Sequence, residues 1–249
     1  MGFLSGLKNV AKAAIKWTGD KLKKAAEVTL DVCHVVAEAT AEVCHWVAGK
    51  CSEWATKIKG KPKDPVAPSA KKADTPLVTN AVNTIKSNFP QGIKESVKNL
   101  NEEEKVRKLE TLVHDASAAL GIENVPELKL FIPESLDQIN SQCGAYNPNE
   151  NTLNLNFAMI VSEEPELYQE QVNTVFHELI HARQCAAIND WKNGKPIDKY
   201  GYSEDYIIEM AVNRLNYIRP EENYEAYTKQ PIEAEAFWFE QQIKSGFQN

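Results

Sequence analysis

No run of 18 or more uncharged apolar residues occurs in the 249-residue chain, so no conventional transmembrane helix is expected. The first residues lack a charged start, an apolar core and a small-residue cleavage site, so no secretory signal peptide is expected either. Gly6 stands where N-myristoylation would need Ser or Thr. Cysteine is scarce and odd in number: Cys33, Cys44, Cys51, Cys143 and Cys185, without tight spacing. That argues against a disulfide framework and for synthesis in a reducing cytoplasm. Histidine is scarcer in the half where it matters, because none follows His181.

What is present divides unevenly. Residues 1–72 hold 13 Lys against 7 acidic residues, whereas the remainder holds 15 basic against 28 acidic ones. Such asymmetry predicts two units with different tasks. The acidic unit is not expected to bind nucleic acid, since phosphates would be repelled. Phe3, Leu4, Leu7, Val10, Ala11, Ala14 and Trp17 fall on one helical face, with Lys8, Lys12 and Lys16 beside it. This pattern suits a membrane surface, a delivery partner's groove, or packing on the protein itself. Asp31–Ala37 recurs as Glu42–Ala48 eleven residues later, the period of a nearly straight helix. Its two Cys-His pairs would stand about 16 Å apart, too far to share one ion. Residues 1–59 are therefore read as a basic, amphipathic, all-helical region. Residues 60–76 are a proline-rich linker. Residues 77–249 form the second domain.

That domain reads as α+β. Helices are expected over about 77–88, 92–99 and 102–120, the last with Asn101 as cap and Gly121 as stop. Glu127–Ile132 alternates as a strand. A turn near residues 147–151 separates two further strands, and Thr152–Asn156 reads as a half-exposed edge. Long helices follow over about 164–187, 203–218 and 231–245.

The stretch His177-Glu178-Leu179-Ile180-His181 is an instance of H-E-x-x-H. Residues four apart share one helical face, so both imidazoles can grip one Zn2+ and Glu178 can reach a water activated there. Glu178 is thus the candidate general base, and His177 and His181 are two metal ligands. A third ligand must come from Glu235, Glu233 or Glu209, in that order of preference. At 100° per residue Glu235 lies about 60° from Ile232 in the apolar stripe of the last helix, while Glu233 lies about 100° away on the other side. A carboxylate against that stripe needs a partner. Tyr224 and Tyr227, just before this helix, are candidate donors to an oxyanion. A peptide substrate is expected to add beside strand 152–156.

HELIH followed some fifty residues later by Glu-Ala in a helix resembles the gluzincins, zinc peptidases with a His, His, Glu metal site. The resemblance covers residues 127–245 and implies a minimal zincin-like domain: a small sheet with an edge strand, the motif helix and a Glu-bearing helix. It implies a zinc metalloendopeptidase acting on peptide or protein. Phe239 stands where thermolysin-like members carry a further carboxylate, and their distant His is missing. The E-x-E-A segment is closer to small bacterial gluzincins, several of which are toxins or effectors exported by specialised secretion systems. The alternative is a membrane-active or partner-binding helical protein whose zincin-like domain is a non-catalytic scaffold.

Overall fold

The computed structural model describes residues 75–133 and 143–247. The expectations for residues 1–59, and for the linker up to residue 74, lie outside the described residues. Thr75 and Pro76, read as the end of the linker, instead open the first helix, where a proline in the first turn has no hydrogen bond to lose.

The described chain is mixed α+β, mostly helical around a small three-stranded sheet. Helices α1 (Thr75–Asn88), α2 (Ile93–Val97) and α3 (Glu102–Ala119) come first. Strands β1 (Glu127–Phe131), β2 (Gly144–Asn147) and β3 (Thr152–Asn156) follow. Then come the short α4 (Phe157–Val161) and the 28-residue α5 (Pro165–Lys192). A 3-10 turn at Asp198–Tyr200 leads to α6 (Glu204–Leu215), α7 (Tyr224–Thr228) and α8 (Pro231–Phe247). Among the described residues no helix is long and apolar enough to cross a membrane.

Local chemistry explains several boundaries. Asn101 and Glu104 form a reciprocal capping box at the start of α3. The helix ends where Gly121 takes φ 68° and Ile122 N–H donates to Ser117 O at 2.8 Å. That left-handed turn is open to glycine at little cost. Helix α5 buries residues on most of its circumference, including Tyr168, Val172, Val175, Phe176, Leu179 and Ile180, so it is the central rod of the domain. Around it pack Ile85 and Phe89 of α1, Leu109 and Leu112 of α3, and Phe239 and Ile243 of α8. A second cluster, with Ile188, Tyr206, Ile207, Met210 and Ile232, fixes the far end of α5 against α6 and the start of α8.

The sheet corrects one expectation. Its order is β1-β3-β2, with β1 parallel and β2 antiparallel to β3. Strand 152–156 is therefore central and buried, not an edge. Its polar residues are employed inside. Asn156 Oδ1 accepts from Met159 N–H to cap α4, and Asn156 N–H reaches Gln171 Oε1 at 3.2 Å. Asn154 Nδ2 donates to Thr152 Oγ1 at 3.3 Å. The edge is β2. It lies against α5 so closely that a Cβ on Gly144 would come within 2.8 Å of the Thr174 side chain and of Asn154 O.

Candidate metal centre

Helices α5 and α8 pack against each other, and the candidate site lies where they meet. His177 and His181 stand one turn apart on α5, their rings 5.0 Å between centroids. From α8 the carboxylate that reaches them belongs to Glu233. Its Oε2 lies 3.4 Å from His177 Nε2 and 3.5 Å from His181 Nε2. The three ligand atoms lie within 4.8 Å of one another. Glu233 is buried to 2 % exposure, yet Oε2 makes no hydrogen bond. A buried carboxylate oxygen without a donor is costly. One cation shared with two imidazole nitrogens would satisfy it, and two N donors and one O donor suit zinc.

The geometry does not favour Glu235, because the carboxylate beside the two imidazoles is that of Glu233. Glu235 is equally buried but belongs to a neighbouring network. Its Oε2 accepts from Gln184 Nε2 at 2.9 Å and from Tyr206 O–H at 3.3 Å. Burial pushes its carboxyl above the ordinary range. Glu209 is exposed on α6 and takes no part in the cluster.

Both rings are held from behind. His177 Nδ1 meets Glu240 Oε2 at 3.2 Å, and Lys244 braces Glu240 at 2.8 Å. His181 Nδ1 meets Gln184 Oε1 at 3.0 Å. The amide of Gln184 can point only one way, since its Nε2 donates to Ile232 O and to Glu235. Each Nδ1–H therefore has an acceptor, which leaves each Nε2 as the ring atom facing Glu233. Glu235 thus supports His181 through Gln184. The substitution Gln184→Ala is expected to weaken binding of added Zn2+ by about 10- to 100-fold. Competition with a chromophoric chelator measures this; unchanged affinity would remove Gln184 from the support.

The electrostatics call for positive charge. Burial opposes protonation of His177, but the carboxylates of Glu233 and Glu240 beside it outweigh that and push the ring up to about 10. For His181 burial likewise opposes, and Glu233 likewise wins. Burial works to raise Glu233, yet the two imidazoles hold it well below the usual carboxylate range.

The centre opens on a cleft of about 1150 Å³ lined by β2, α5, α7 and α8. Glu178 lines it, and its Oε2 accepts from the Tyr146 backbone N–H of β2 at 2.8 Å. Tyr227 and Tyr224 also line it, on the short α7. Tyr227 is half-buried against Phe237, its phenol pushed up by burial, whereas Tyr224 is 65 % exposed at the rim. Tyr217, unmarked in the sequence, donates its hydroxyl to Glu233 Oε1 at 2.8 Å. Glu240 and Gln184 escaped notice too. The signal for Gln184 was its place three residues after His181; nothing local marked Tyr217.

Other described residues of reactive type fall elsewhere. His114 is exposed on α3. Arg183 donates to the backbone carbonyls of Leu120 and Tyr200 at 3.1 and 2.8 Å, with no direct bond to a carboxylate. Cys185 is buried and Cys143 half-buried in the cleft wall. No protein-family model, no curated protein and no solved structure matches this chain.

Proposed function

We propose that this chain is a zinc-dependent endopeptidase with a gluzincin-like centre formed by His177, His181 and Glu233. The observation that carries the reading is the buried Glu233 Oε2, without a hydrogen bond, facing two imidazole nitrogens beside Glu178 in an open cleft. Zinc, when bound, supplies Lewis acidity to the attacking water and to the scissile carbonyl.

The protein's own groups do the rest. Glu178 takes the proton of the attacking water and returns it to the leaving amine. Its Oε2 is anchored by the Tyr146 N–H, which leaves Oε1 for that proton. Tyr227, kept protonated by burial, is the donor for charge developing on the carbonyl oxygen. The substrate backbone adds to the outer edge of β2, in place of the β3 edge expected from sequence. Just before that strand Cys143 O accepts from Asn156 N–H of β3, so by alternation the Gly144 N–H and carbonyl and the Tyr146 carbonyl face away from β3, while the Tyr146 N–H is taken by Glu178.

The test is hydrolysis of labelled casein by protein stripped with a chelator and then titrated with Zn2+. Activity should return in proportion to zinc and saturate at one ion per chain. Saturation with zinc and no hydrolysis of any peptide would leave the domain as a non-catalytic scaffold.

A further inference from the structure

Charge along the cleft changes sign. Towards the start of α5, Glu170 and Glu240 are both bridged by Lys244, at 3.1 and 2.8 Å. Glu178 and Glu233 occupy the middle. Past His181 a cation enters the wall. Arg214 of α6 lines the cleft, and its guanidinium touches Cys185 Sγ. Cys185 lies one turn beyond His181, about 6 Å along the helix axis. It is no counter-ion, because burial raises its thiol and keeps it neutral.

Among the described residues that line the cleft, Arg214 is the one Lys or Arg. No described carboxylate lies within ion-pair distance of it, nor of Lys192. Lys192 follows His181 by eleven residues, which returns it to nearly the same face of α5. It is half-buried, and its ammonium is depressed by burial and then by the charge of Arg214. Arg214 therefore stands at one end of the cleft with Lys192 near it but outside the lining, and neither has an acid within ion-pair distance. Their repulsion is relieved when an anion binds.

The direction of the cleft brings a substrate there. Strand β2 and helix α5 run side by side the same way, with Gly144 at Thr174 and Tyr146 at Glu178. A chain laid on the β2 edge passes the two histidines and continues towards Arg214. Guanidinium offers a planar fork that fits a carboxylate. We propose that Arg214, backed by Lys192, is an anion subsite that selects substrates bearing a carboxylate on the side of the scissile bond past His181. The inference rests on the peptidase reading.

The experiment uses zinc-loaded full-length protein and a random-sequence peptide mixture, half with free and half with amidated C-termini. Cleavage products are read by mass spectrometry for wild type, Arg214→Gln and Arg214→Lys. Wild type should favour peptides with Asp or Glu at one position on one side by about 10- to 100-fold, the size of a charge-assisted hydrogen bond. Arg214→Gln should lose that preference, with acidic peptides falling far more than neutral ones. Arg214→Lys, which keeps the charge, should retain its direction. A preference confined to free C-termini would assign the carboxylate to the chain end; one that survives amidation assigns it to a side chain. Glu178-dependent cleavage without acidic preference, or a preference intact in Arg214→Gln, overturns the subsite. If no peptide is cleaved, the peptidase reading fails by itself. The subsite is then judged by retention of the same mixture on immobilised wild type and Arg214→Gln, and equal retention of acidic peptides overturns it.

Discussion

Replacing Glu178 by Gln should lower peptide hydrolysis by a factor of about 10²–10⁴, the usual contribution of a general base, and leave zinc content unchanged. The two side chains have the same shape. In the Glu178→Gln variant the amide oxygen can still accept the Tyr146 N–H that Glu178 accepts at 2.8 Å, so the packing of α5 on β2 survives. What is lost is a basic oxygen beside the attacking water. Glu178 does not belong to the His177, His181, Glu233 group, so the site's hold on an ion is untouched. Metal analysis and a casein assay on the same preparation decide the matter. Full activity with full zinc would dismiss Glu178 as the base. Loss of both would mean that Glu178 helps hold the ion.

The second large effect separates two glutamates that sit two residues apart on α8. Glu233→Ala should reduce zinc affinity by more than the roughly 100-fold that outer contacts can cost, because a direct donor disappears. Glu235→Gln should leave it within that range. In the first variant the imidazoles face a void where Glu233 Oε2 lay 3.4 and 3.5 Å away. Tyr217 also loses its acceptor. In the second, the amide keeps the shape of the acid, whose charged form burial disfavours. The new amide oxygen can accept from Gln184 and Tyr206 as the Glu235 carboxylate does. Chelator competition on both proteins is the measurement. The opposite order of affinities would restore Glu235 as the ligand and refute Glu233.

The motif helix, the capped α3 and the last helix were all legible in sequence, because each is announced by local signals: a four-residue spacing, an Asn–Glu box, a proline start. The choice between Glu233 and Glu235 was not. A helical wheel reports which side of α8 is apolar, and both glutamates turn out 2 % exposed. What differs is the neighbour each meets, two imidazoles for one and Gln184 with Tyr206 for the other, and that is set by how α5 and α8 cross. The same limit misplaced β3. Alternation of Leu153 and Leu155 with asparagines suggests a wet face, but Asn156 is polar because it caps α4. Tyr217 and Glu240 come to the centre only through tertiary packing. Positions such as these are read from coordinates or not at all.

His181 and Glu233 bracket residues 182–232, a stretch that contains the 3-10 turn, α6 and α7. An ion gripped by both would close this stretch into a ring, and a polymer so closed has fewer unfolded shapes. The chain-entropy estimate for a ring of this length is about 4 kcal/mol. Occupancy and foldedness would then be one equilibrium seen from two sides. A protein whose cation is withdrawn would first slacken between its two long helices, so scarcity of the ion would limit both the turnover and the lifetime of the molecule.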